Sequence, residues 1–94
     1  MSSISTIIWS VGKKNIVGPR IRLARKAVKP PLTQMDLVAR LQVLGMMVDQ
    51  SGLSKIESGQ RPVSDIEVIA LARALKVATA WLLEGDREVV WRKD

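Results

Sequence analysis

Between Pro19 and Gly85 the chain is divided by start and stop signals for helices, set so close together that only short helices fit between them. Pro19 suits the first turn of a helix, where a backbone N–H would have no partner. In the run PRIRLARKAV (19–28), Ile21, Ala24 (or Arg25) and Val28 then recur at helical spacing. Pro30-Pro31 ends that helix, because neither proline can extend it. Thr33-Gln-Met-Asp36 has the form of a capping box, with Asp in place of the usual Glu or Gln. Leu37, Leu41 and Leu44 follow at i, i+4, i+7 and are expected in the core. Gly45 is a candidate C-terminal stop, and Asp49 and Gly59 bracket a third helix. Gly59-Gln-Arg-Pro-Val63 reads as a turn. Ser64-Asp-Ile-Glu67 is a full capping box, opening an apolar helix with Val68, Leu71, Ala72 and Leu75 on one face. A last short helix, around Thr79 to Leu83, carries Trp81, Leu82 and Leu83 and stops at Gly85. With no βαβ alternation and no internal repeat, the expected architecture is all-α with five helices. The expected organisation is an N-terminal extension (1–15, a tail or short strand), a helical domain (16–86) and a C-terminal tail or short strand (87–94).

Composition narrows the function. The 94 residues include no cysteine and no histidine. A disulfide and a cysteine zinc site are thereby excluded, and the commonest general base and metal ligand are missing. No serine sits in a nucleophile-elbow sequence, and no glycine-rich phosphate loop is present. The carboxylates Asp36, Glu57, Asp65 and Glu67 fall where helix caps or ion pairs would use them. Neither an enzyme nor a metal or other cofactor is expected. No segment approaches the roughly 18 apolar residues that a membrane span needs. The apolar start SSISTIIWSVG has no basic residue ahead of it and no convincing cleavage site, so a cytoplasmic protein is expected.

The net charge of +6 is unevenly placed: residues 1–35 carry seven bases and no acid, whereas the remainder carries eight bases and nine acids. Such asymmetry suits a polyanionic partner, although a solvated basic face that aids solubility has the same signature. The third helix decides between them. In DQSGLSKIESG (49–59) only Leu53 and Ile56 are large and apolar. Gln50, Ser51, Ser54, Lys55 and Ser58 cover much of the rest. An ordinary exposed helix would use Glu, Lys, Ala and Arg for their propensity. Short hydroxyl and amide side chains instead suit close approach to base edges: Gln pairs with adenine, Ser serves either role, and Lys suits guanine or phosphate. Gly52 leaves room for the backbone to come near.

IRLAR (21–25), LTQMDLVARL (32–41), LSKIESGQR (53–61), DIEVIALARALKV (65–77) and WLLEG (81–85) occur in an order that resembles the XRE family, the helix-turn-helix domains of lambdoid phage repressors and Cro proteins. The resemblance runs from about Asn15 to Asp86. It implies a five-helix lambda-repressor-like DNA-binding fold in a bacterial or phage-derived protein. The second and third helices would form the helix-turn-helix, with the third in the major groove and the second across the backbone. By position, Gln34 would touch phosphate and buttress Gln50. Gln50 and Ser51 would meet base edges first, with Ser54 and Lys55 further along the groove. Ser58 and Arg61 would contact the backbone, with a base also within reach of Arg61, and Arg25 and Glu57 would form an ion pair tying the first helix to the end of the third. The chain departs from the pattern at the longer loop Lys29-Pro30-Pro31 and at the long connection QVLGMMV (42–48). There the second helix either runs on by a turn or gives way to a loop. It departs again at Lys76, where the family often has glycine, and at Ala78, where it often has a capping Ser.

The function expected is sequence-specific binding of double-stranded DNA by a transcriptional regulator, in the first place a repressor. One helix-turn-helix reads few base pairs, so a homodimer on a two-fold operator is expected, with half-sites about one helical turn apart. The alternative is a protein-interaction module such as the antitoxin of a toxin–antitoxin pair. The apolar triplets Ile7-Ile8-Trp9 and Val89-Val90-Trp91 motivate it, since they can pair with each other or with a second chain.

Overall fold

The capping signals set the elements. In the computed structural model, which describes residues 12–86 and 88–93, α1 runs Gly18–Ala27, α2 Gln34–Val43, α3 Gln50–Glu57, α4 Asp65–Leu75 and α5 Thr79–Glu84. Thr33 and Asp36 form a reciprocal capping box at the start of α2, as do Ser64 and Glu67 at the start of α4. The Asp36 carboxyl is held below its ordinary range, chiefly by the Thr33 backbone N–H. No described residue lies in a named strand, and no described helix is long and apolar enough to cross a membrane.

All five helices supply the core. Ile21 of α1, Leu37 and Leu41 of α2, Leu53 and Ile56 of α3, Leu71 and Leu75 of α4 and Leu82 of α5 are almost fully buried. Each such side chain contributes about 1.5–3 kcal/mol by leaving water. Every buried side-chain nitrogen and oxygen among the described residues has a hydrogen-bond partner.

The stripe on α2 ends sooner than expected. Leu44 is 44% exposed, because α2 stops at Val43 and Leu44 is its C-cap. Gly45 adopts φ +89°, a left-handed turn that glycine makes without a Cβ clash. The Gly45 N–H then donates to the Gln42 carbonyl at 3.0 Å and the Met46 N–H to the Leu41 carbonyl at 2.9 Å. This double closure reverses the chain and turns Met46 inward, into the place assigned to Leu44. The helix does not run on. The long connection is a loop with Met46 and Val48 buried and Met47 exposed between them.

Lys76 closes α4 in the left-handed region at φ 59°. The Val77 N–H donates to the Ala72 carbonyl at 3.0 Å, the bond that glycine usually permits at such a stop. Ala78 heads α5 with no side-chain cap. Its backbone N–H instead donates to the Val90 carbonyl at 2.8 Å, and the Arg92 N–H donates to the Lys76 carbonyl at 2.7 Å. Val77 and Trp91 face each other as an antiparallel bridge. The C-terminal triplet is therefore paired to the link between α4 and α5 of its own chain. The triplet Ile7-Ile8-Trp9 lies outside the described residues.

Arg20 ties the last helix to the first. Its Nε donates to the Gly85 carbonyl at 2.8 Å and its Nη1 to the Leu82 and Leu83 carbonyls at 3.2 Å. The C-terminal carbonyls of α5 thus find a cation on α1. Burial lowers the Arg20 pKa and nearby Asp86 partly restores it, and the guanidinium stays charged throughout.

Candidate nucleic-acid interface

A helix that buries only Leu53, Ile56 and Glu57 needs support at both ends. At the N-terminus the Asp49 carboxylate accepts the Gly52 N–H at 2.7 Å. A Cβ on residue 52 would lie 2.7 Å from Val48 Cγ2 and 3.1 Å from Asp49 Oδ1. Gly52 is thus required by the seating of α3 on its own cap. At the C-terminus Gly59 turns left-handed at φ +80°, and the Gln60 N–H donates to the Lys55 carbonyl at 2.8 Å.

The segment ahead of α1 finishes the job. Asn15 Oδ1 accepts the Gly18 N–H at 2.9 Å, while its Nδ2 donates to the carbonyls of Ile56 at 3.1 Å and Arg61 at 2.8 Å. The Lys14 N–H donates to the Gly59 carbonyl at 2.8 Å, and Lys13 Nζ donates to the Ser58 carbonyl at 3.2 Å. Lys13, Lys14 and Asn15, grouped with the extension in the sequence, therefore brace the end of α3. Gly18 permits this approach: a Cβ there would sit 2.5 Å from the Ile56 carbonyl oxygen.

A chain of hydrogen bonds runs from the core to the exposed face of α3. Arg25 Nε donates to Glu57 Oε2 at 2.8 Å and Nη2 donates to Oε1 at 3.0 Å, while Nη1 donates to the Leu32 carbonyl at 3.0 Å. Both side chains are buried, and their fork-to-fork pairing satisfies the charges that burial would otherwise strand. Gln34 Nε2 donates to Glu57 Oε1 at 3.2 Å, and Gln50 Nε2 donates to Gln34 Oε1 at 3.4 Å.

Around this chain a cleft of 660 Å³ opens between α1, the start of α2 and α3. Gln34, Gln50, Ser54 and Ser58 share its walls with Arg22 and Lys26. Of the residues expected to contact DNA, these four are brought together there, and the expected ion pair Arg25 and Glu57 lines the same cleft. Ser51 and Lys55 are exposed on α3 outside the cleft, and Arg61 lies elsewhere. Arg61 is half-buried near Asp49 and Gly52, with Nη2 donating to Glu67 Oε2 at 3.0 Å. That bond, the largest influence, holds the Glu67 carboxyl below its ordinary range, with burial opposing it. Arg22 and Lys26 were visible in the sequence only as part of the basic first third. The available signal was their i, i+4 spacing on one face of α1.

Residues 42–82, from the end of α2 into α5, match the helix-turn-helix family model. No curated protein and no solved structure gives a significant match. Residues 42–82 are thus similar to a DNA-binding helix-turn-helix, and the five helices stand in the order that the resemblance to the XRE, lambda-repressor-like family implies.

Proposed function

We propose that the protein is a sequence-specific regulator of transcription, acting as a repressor, which reads double-stranded DNA with α3 in the major groove. The observation that carries this is the exposed row Gln50, Ser51, Ser54 and Lys55 on a helix braced at both ends. Short polar side chains on a rigid support suit base edges, where a misplaced donor is costly. Arg22, Lys26, Gln34 and Ser58 border the same cleft and suit the phosphates flanking the groove. Arg61 would first have to leave Glu67 to contact the backbone, so its share in affinity is smaller.

One α3 spans too few base pairs for a specific site, so the protein acts as a dimer on a two-fold operator, with half-sites about one helical turn apart. Substitution tests the assignment. Gln50→Ala with Ser51→Ala should weaken operator binding by roughly 2–4 kcal/mol while sparing binding to unrelated duplex. Equal operator affinity in the double variant, measured by titration at fixed salt, would show that α3 does not read the bases.

A further inference from the structure

The resemblance implies Glu57 as half of an ion pair, and the Arg25 contact accounts for its burial. It does not account for the third bond, from Gln34 Nε2 to Glu57 Oε1 at 3.2 Å. A carboxylate only accepts hydrogen bonds, so the end of the Gln34 amide that faces Glu57 must be its NH2. The Gln34 oxygen must then face the other way, toward Gln50, at 3.4 Å. An oxygen can only accept, so the end of Gln50 that meets it must also be an NH2. One acceptor in the interior thereby sets the order of donor and acceptor on an exposed side chain two residues further along the chain of bonds.

We infer that Glu57 is a positioning residue for base recognition: acting through Gln34, it fixes which way the Gln50 amide faces. The inference rests on the assignment of α3 to the major groove. One Nε2 hydrogen of Gln50 is spent on Gln34. Its other hydrogen and its oxygen remain side by side, an adjacent donor and acceptor. That pair matches N7 and N6 of adenine, and locking the amide fixes the order in which the pair is presented along the groove. A freely turning glutamine would offer both orders and discriminate less. Arg25 belongs to the same device, since it holds the Glu57 carboxylate with two bonds, one of them to the oxygen that Gln34 also meets.

The test is a double-mutant cycle read out on base preference, with the full chain and purified duplexes that differ only at the base pair opposite Gln50. Glu57→Gln replaces the acceptor-only group with an amide that can face either way, and Gln34→Leu removes the link while keeping its bulk. In the parent, adenine at that base pair should be preferred by roughly tenfold. Glu57→Gln should cut that preference several-fold while affinity for unrelated duplex holds. In the Gln34→Leu background, the preference should already be reduced and Glu57→Gln should change it no further. A loss of thermal stability accompanies Glu57→Gln in both backgrounds, so melting is recorded separately and cannot stand in for the effect. Equal preference in the parent and Glu57→Gln, or equal effects of Glu57→Gln with and without Gln34, would overturn the inference. If Gln50→Ala leaves the preference intact, the placement of α3 itself is wrong. If Gln50→Ala abolishes it and Glu57→Gln does not, only the relay fails.

Discussion

At Gly18 a single hydrogen atom decides whether α1 can lie against the end of α3. A methyl group there would meet the Ile56 and Glu57 carbonyl oxygens at 2.5 and 2.6 Å. Backbone cannot yield as a side-chain tip can, so Gly18→Ala should destabilise the fold by about 1–3 kcal/mol, read as a lower denaturation midpoint. A variant of parental stability would mean that α1 and α3 are further apart than described. Lys76 is the opposite case, a side chain where glycine would serve better. Its left-handed φ of 59° costs an L-residue about 1 kcal/mol or more. Lys76→Gly, which gives back part of that in unfolded-chain entropy, should stabilise by about 0.5–1 kcal/mol in the same assay. A neutral or destabilising result would show that the Lys76 side chain contributes something its backbone angle hides. The sequence singled out position 76 as a missing glycine because a helix stop is a local matter. Gly18 gave no such sign, because its reason lies some forty residues away.

Among the elements, capping was legible and packing less so. Thr33, Asp49 and Ser64 were expected as caps and bond backbone N–H groups at the starts of α2, α3 and α4. A capping bond spans three residues, so its partners can be read in one stretch. The buried stripe expected on α2 fails at Leu44 because periodicity does not say where a helix stops. The stop fell at Val43, and the next inward position passed to Met46. The braces at Arg20 and Asn15 were invisible for a different reason: each bonds backbone carbonyls from a distant segment, which no local pattern encodes. Glu67 supplies an element-scale prediction. Its carboxyl is depressed from an ordinary 4.5 in the fold. The unfolded chain therefore takes up a proton first as pH falls, and stability present above about pH 4.5 is lost below it. Glu67→Gln should flatten this acid loss in denaturation curves taken between neutral pH and pH 3. An unchanged pH dependence would detach Glu67 from Arg61 and from the start of α4.

Across the whole molecule the chemistry is distributed unevenly. The cations Arg22 and Lys26 meet Gln50, Ser54 and Ser58 around one cleft, while the C-terminal segment is folded back onto residues 76–78. Phosphate contacts release counterions, so each one removed should lower the slope of log affinity against log salt by about 0.9. Arg22→Ala and Lys26→Ala are accordingly expected to weaken binding to all duplexes alike and to flatten that slope, without altering the preferred sequence. A changed sequence with an unchanged slope would move these residues from phosphate to bases. The candidate site was legible as a set of residue types on one helix face. The relay from Glu57 through Gln34 to Gln50 was not, because the sequence gives no orientation for an amide. The central claim is that α3 reads base pairs, and selection from a pool of random duplexes tests it most directly. The parent chain should enrich a two-fold motif with half-sites about one helical turn apart, and Gln50→Ala with Ser51→Ala should lose that motif while still retaining DNA. Enrichment of no motif by the parent, or of the same motif by the double variant, would contradict the account.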